Sequence, residues 1–196
     1  LLDGYLDEPS ALGVPPYISP HIRYVYGALR SAGLPEEYID YITIDQFRDN
    51  WNNNIQKLEN YDLFIIIAGT TVPGHYLGGR PISLAEIKEL GSKVYYPTKV
   101  LGGPITLVKN EMEGYDFLTR ETAALDLYSR LKEIDIDQLK NSAADYIADW
   151  AVRGAKLTKL HPSYPNLVIE LETFRGCPRE KHCAFCSERL KKVHYT

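Results

Sequence analysis

Three cysteines, Cys177, Cys183 and Cys186, fall within ten residues near the C-terminus in the order Cys-x5-Cys-x2-Cys. Thiolates are soft ligands that suit iron–sulfur clusters and zinc. Three of them on one short loop can hold three irons of a four-iron cluster and leave the fourth iron open to a substrate or cofactor. The odd, tight set therefore points to metal chemistry, whereas a secreted disulfide scaffold carries an even and dispersed set. The competing reading is zinc with a histidine as fourth ligand. His182 abuts Cys183, which makes joint chelation awkward, while His194 lies eight residues after Cys186, a workable spacing.

The loop has to be carried by something. Leu167–Phe174 (LVIELETF) alternates apolar and acidic residues, reads as a strand, and runs directly into Arg175-Gly176-Cys177. Before it, residues 156–166 (KLTKLHPSYPN) are polar, contain two prolines and read as a linker. Residues 1–155 alternate between two periods. Leu1–Leu6 is a short apolar opening, and Ile18, Ile22, Val25, Tyr26 and Leu29 recur at helical spacing, with Gly33 as a stop. Tyr38–Ile44 reads as a strand, and Phe47, Trp51, Ile55 and Leu58 mark a helix. Leu63–Ala68 (LFIIIA) is the strongest strand signal, continuous and β-branched, as a strand covered on both faces requires. Helix over Pro81–Leu90, strand at Lys99–Leu101 and strand at Tyr115–Leu118 follow. Ala124, Leu127, Tyr128 and Leu131 mark one more helix, and Ile136, Leu139, Ala143, Ile147 and Trp150 another.

Strands alternating with helices imply a parallel sheet, because parallel neighbours need crossover connections. The fold expected for residues 1–155 is α/β: a flavodoxin-like (Rossmann-like) open parallel sheet with helices on both faces, in strand order 2-1-3-4-5. The connections Asp7–Pro20, Thr70–Pro81 and Gly102–Pro104 then gather at the carboxyl edge of the strands, where such sheets bind ligands. The first two are longer than usual, so a ligand or domain-contact role is weighed there against simple turn-shaping by proline and glycine.

The chain has 196 residues, a net charge of -4 and a pI near 5.8, with 44% hydrophobic and 24% charged residues. That is an ordinary core-forming composition, and its acidity argues against a dedicated nucleic-acid or membrane-surface binder. Lys156, Lys159, Arg175, Arg179, Lys181, Arg189, Lys191 and Lys192 make the last 41 residues more basic. A solvated surface is the favoured account of them, so nucleic acid is neither indicated nor ruled out. No run approaches the roughly 18 apolar residues of a membrane span, and Leu1–Pro9 lacks the features of a signal peptide. The chain reads as cytoplasmic. Trp51 and Trp150 sit at core spacing; His21 and His161 adjoin prolines.

The stretch ETFRGCPREKHCAFCSE, following a strand, resembles the cluster loop of the radical S-adenosylmethionine superfamily, which leaves the first strand of a partial TIM-like barrel. The RGCP lead-in matches, as does the aromatic Phe185 just before the last cysteine. The first gap holds five residues where three are usual. The resemblance implies that Cys177, Cys183 and Cys186 bind a [4Fe-4S] cluster, with Phe185 on the S-adenosylmethionine side of the loop. It also implies reductive cleavage of S-adenosylmethionine to a 5′-deoxyadenosyl radical, with a ferredoxin- or flavodoxin-type electron donor. Residues 1–155 are similar to the cobalamin-binding-like domains that precede many such barrels, in Pro15-Pro16, in VLGGP at 100–104 and in YDFLTRETAALDLYSRL at 115–131. Arg120–Glu121 stands where a glycine–glutamate pair normally opens the last helix, so only Glu121 matches. The Asp-x-His-x-x-Gly motif is absent, since Pro73 precedes His75, so any bound cobalamin would lack the lower histidine. Overall the chain is most similar to archaeal proteins of this type. The expected organisation is a cobalamin-binding-like domain at 1–155, a linker at 156–166 and, at 167–196, the start of a barrel that needs about 150 or more further residues to close. The alternative is a non-catalytic α/β ligand-binding or interaction module with a C-terminal zinc-binding Cys/His clip.

Overall fold

The structure is a computed structural model that describes residues 1–6, 16–69, 79–119, 122–171, 174–184 and 194–195. Strand β1 (Leu2–Asp3) opens the chain, and β2 (Tyr17–Ile18) stands apart from the main sheet. β3 (Ile42–Thr43), β4 (Leu63–Ile67), β5 (Thr98–Gly102) and β6 (Phe117–Leu118) join β1 in one five-stranded sheet of order β3-β1-β4-β5-β6. Every pairing in it is parallel. Counted along the chain, that order is 2-1-3-4-5, as the sequence leads one to expect.

β4 shows why. Successive side chains of a strand point to opposite faces. Ile65 and Ile67, with Val100 of β5, enter one core beside Val25, Leu127 and Trp150. Phe64 and Ile66, with Leu101, enter the other beside Phe47, Leu58 and Leu90. A strand buried on both faces has no polar position, which accounts for the unbroken run LFIII.

The first core is roofed by α1 (Pro20–Ala32). Ser19 caps α1 by accepting from the His21 N–H, Pro20 occupies the first turn, and Gly33 ends the helix at φ 107°. The apolar period through Leu58 is divided into α2 (Ile44–Asp49) and α3 (Trp51–Leu58) by Asn50, at φ −146° and ψ 58°. The second core is completed by α4 (Leu84–Lys93), which opens with a Ser83/Glu86 capping box, and by α5 (Ile105–Val108), a turn too short to leave a sequence period. α6 (Ala123–Lys132), α7 (Ile136–Asn141) and α8 (Ala143–Gly154) return to the α1 side. One helix was expected over Ile136–Trp150; Ser142, at φ −121° and ψ 25°, divides it. Asn and Ser bond locally to backbone and gain least from a helix interior, and the two breaks re-aim Phe47, Leu58, Leu139 and Trp150 into the cores. Trp150 is fully buried, whereas Trp51 is half-buried and donates its indole N–H to Glu89 at 3.0 Å.

The polar segment after α8 is packed. A 3-10 helix over Ala155–Leu160 buries Leu157, and His161 behind it is buried too. β7 (Val168–Ile169) pairs in parallel with β2, and β8 (Phe174–Arg175) pairs antiparallel with β9 (His194–Tyr195). The two ends of the expected strand Leu167–Phe174 thus belong to different ladders. Among the described residues, no helix is long and apolar enough to cross a membrane.

Candidate functional site

The β8–β9 ladder sets Arg175 opposite His194, so the segment that carries the cysteines leaves and returns at one place. Within it Cys177 is half-buried and Cys183 exposed, and both are free thiols. The His182 Nε2 lies 3.4 Å from the Cys177 carbonyl. Phe185 and Cys186 lie outside the described residues, so the third ligand and the aromatic of the expected set are not placed. Among the described residues no group of three or more metal-ligating side chains occurs. The donor chemistry fits a soft metal or cluster: two unbridged thiols, with a third three residues beyond Cys183.

All five sheet strands run the same way, so the ends of β1, β4, β5 and β6 meet at one edge. Parts of the long connections there (7–15 and 70–78), His75, Pro15 and Arg120–Glu121 lie outside the described residues. The described part of the edge is tightly made. Gly103 has φ +91°, and a Cβ there would stand 2.5 Å from the Ala68 carbonyl. A Cβ on Gly102 would meet Ala123 at 2.9 Å and the Thr119 hydroxyl at 3.0 Å. The Thr119 Oγ1 is buried with no hydrogen-bond partner among the described residues.

Two polar assemblies shape the rest of this edge, and neither stands out in the sequence. Asp3, at the end of β1, is buried; it accepts from the Tyr5 N–H at 3.0 Å and from the Tyr41 hydroxyl at 2.9 Å. Desolvation by burial outweighs both hydrogen bonds and raises its carboxyl to about 6. The tight Asp3-to-Tyr5 turn holds Tyr5 at φ 60°. In the second assembly, Arg48 donates Nε and Nη2 to the two Glu86 oxygens at 2.7 and 2.9 Å, and Nη1 to Asp45 at 2.7 Å. It also donates to the carbonyls of Arg80 and Pro81 at 2.5 and 3.0 Å. Burial alone would raise the Glu86 carboxyl; hydrogen bonds from Arg48 and Ser83, with the Arg48 charge, reverse this and hold it at about 2. Arg48 thereby pins the exit of the connection after β4. A lone arginine on a helix carries no sequence sign of such a task.

His161 is buried against Tyr41, with ring centroids 6.3 Å apart, and its Nδ1 accepts from the Ser163 N–H at 3.1 Å. Burial lowers its pKa to about 4. It acts as a neutral packing group for the segment between α8 and β7.

Fold and site together define an α/β domain with a parallel five-stranded sheet, followed by a short segment in which Cys177 and Cys183 are free thiols. The chain is similar to an uncharacterized protein of Archaeoglobus fulgidus, at 36% identity over 195 residues that cover 100% of this chain and 35% of that protein. It is also similar to an uncharacterized protein of Methanocaldococcus jannaschii, at 37% identity over 207 residues that cover 96% of this chain and 37% of that protein. The chain therefore spans little more than a third of the length of these curated relatives. No protein-family model and no solved structure matches it.

Proposed function

We propose that the chain is the N-terminal portion of a radical S-adenosylmethionine enzyme: a Rossmann-like, flavodoxin-type domain followed by the first strand and cluster loop of a partial TIM-like barrel. The observation that carries this reading is the cysteine loop itself, Cys177, Cys183 and Cys186 directly after RG and with Phe185 before the last thiol. The free state of Cys177 and Cys183 is in keeping with ligand duty. A bound [4Fe-4S] cluster would supply the electron that cleaves S-adenosylmethionine to a 5′-deoxyadenosyl radical. The three thiols would hold it, and the fold would position it and exclude water. The α/β domain would present its carboxyl edge to a ligand. Cobalamin at that edge would be held without a lower histidine.

The test is anaerobic purification and reconstitution of the protein at the length of its relatives. Iron and sulfide with absorbance near about 400 nm, lost in Cys177→Ala and Cys183→Ala, together with 5′-deoxyadenosine release, are the expected results. Residues 1–196 alone are expected to release none.

A second reading is favoured by one observation: the β8–β9 ladder closes the cysteine loop into a clip with His194 opposite Arg175. Such a clip would hold zinc through the three cysteines and His194 on a non-catalytic module. One tightly bound zinc, with no iron under anaerobic conditions, would select it over the enzyme.

A further inference from the structure

β7, like β2, lies outside the five-stranded sheet. It is paired on one side only, by β2, a two-residue strand of the α/β domain just ahead of α1. The Val168 N–H donates to the Pro16 carbonyl at 2.6 Å. In a parallel ladder each residue sends its N–H and C=O to the same neighbour and the next residue sends both to the other side. Val168 and Glu170 therefore face β2, and Ile169 turns both main-chain groups to an edge with no paired strand among the described residues.

The side of β7 toward the domain is held with unusual force. Arg23, on α1 and only 5% exposed, donates Nη2 to the Glu170 carbonyl at 2.6 Å. A buried guanidinium aimed at a main-chain carbonyl is a strong, charge-assisted anchor, and here it fixes the backbone seven residues before Cys177. On the other side no strand is paired among the described residues. Val168, Ile169 and Leu171 are 49%, 59% and 76% exposed. An apolar strand with an open edge is the template that folded proteins pair or cover. The chain spans only 35% and 37% of its two relatives, so ample polypeptide is at hand to cover this edge.

We propose that β7 is the shared strand of an interdomain sheet, with β2 of the α/β domain on one edge and, on the other, a strand of the polypeptide downstream of the cysteine loop. β2 then extends the second domain's sheet by one strand, and Arg23 locks the junction. The thiol loop is thereby tied to the domain whose carboxyl edge would hold a ligand. This inference rests on the reading above only in taking the chain as part of a longer protein; it does not depend on which metal the thiols hold.

Residue-resolved amide hydrogen exchange on the protein at the length of its relatives, and on residues 1–196, tests it. The Val168 and Glu170 amides are expected to be protected in both. The Ile169 amide is expected to exchange about a hundredfold more slowly in the long protein than in residues 1–196. Ile169→Pro removes only the outward N–H. The Leu171 amide, outward like that of Ile169 by the same alternation, is expected to be slowed in the long protein too, and Ile169→Pro is expected to abolish that slowing while leaving unfolding of residues 1–196 cooperative. Equal Ile169 exchange in the two proteins overturns the proposal, as does concentration-dependent protection in residues 1–196, which would mean a second copy covers the edge. Zinc in place of iron would sink the enzymatic reading and leave this pattern untouched.

Discussion

At the residue scale the most informative group is Asp3, a carboxylate enclosed at the end of the central strand. Burial raises its folded pKa to about 6, above the ordinary carboxylate value of 3.8. The folded state therefore binds more protons than the unfolded one between those values, and Asp3 adds stability as the pH falls from 7 toward 5. His161 has the opposite sign. With a folded pKa of about 4 against 6.5, it favours the fold above pH 6.5 and withdraws that support as the pH falls toward 4. The two oppose each other over the same range, so wild-type stability alone reads neither. In Asp3→Asn the amide oxygen still accepts from Tyr5 and the Tyr41 hydroxyl can turn to accept from the amide. The stability difference, wild type minus variant, is expected to rise by about 1 kcal/mol between pH 7 and pH 5. Urea titrations of both proteins at the two pH values measure it; a flat difference would mean that the Asp3 carboxyl titrates as in water.

At the element scale the decisive contact is α1 against α8. A Cβ on Gly27 would overlap the Trp150 backbone, and one on Gly154 would overlap the Arg23 backbone. The two helices touch main chain to main chain, which carries Trp150 into the core and holds Arg23 at the β7 junction. Alanine in a helix gains about 1 kcal/mol over glycine, yet here the overlap outweighs it. Gly27→Ala is expected to destabilise by about 1–3 kcal/mol, read from the denaturation midpoint. An unchanged or raised midpoint would show that the helices can part freely. By contrast Gly33 has open space around its Cβ position, and its need for glycine comes from φ alone.

At the scale of the whole molecule, both cores are built, among the described residues, from positions up to Leu157, with Leu167 the last described apolar group packed against them. Among the described residues, none of the cysteine loop belongs to either. A chain ending at residue 171 keeps β2, β7 and both cores, so its melting temperature is expected to stay within about 2 °C of that of residues 1–196. All metal binding by the thiols would be lost. A drop of 10 °C or more in calorimetry would place the loop in the folding unit.

Much of this architecture is legible in the sequence, because it depends on patterns that repeat within one element. LFIII announces a strand covered on both faces. Ser19, Pro20 and Gly33 bracket α1. The breaks at Asn50 and Ser142 were hidden, since the apolar period runs through both and only the direction of each core decides where a helix must turn. Asp3, Arg23, Arg48 and His161 were equally mute. Each of the first three takes a partner 38 to 147 positions away, and no local period encodes such a distance. The β2–β7 pairing spans about the whole domain. Strand pairing is made by main-chain groups common to every residue, so side-chain identity says that a segment is extended, while only the tertiary structure decides which edge it joins.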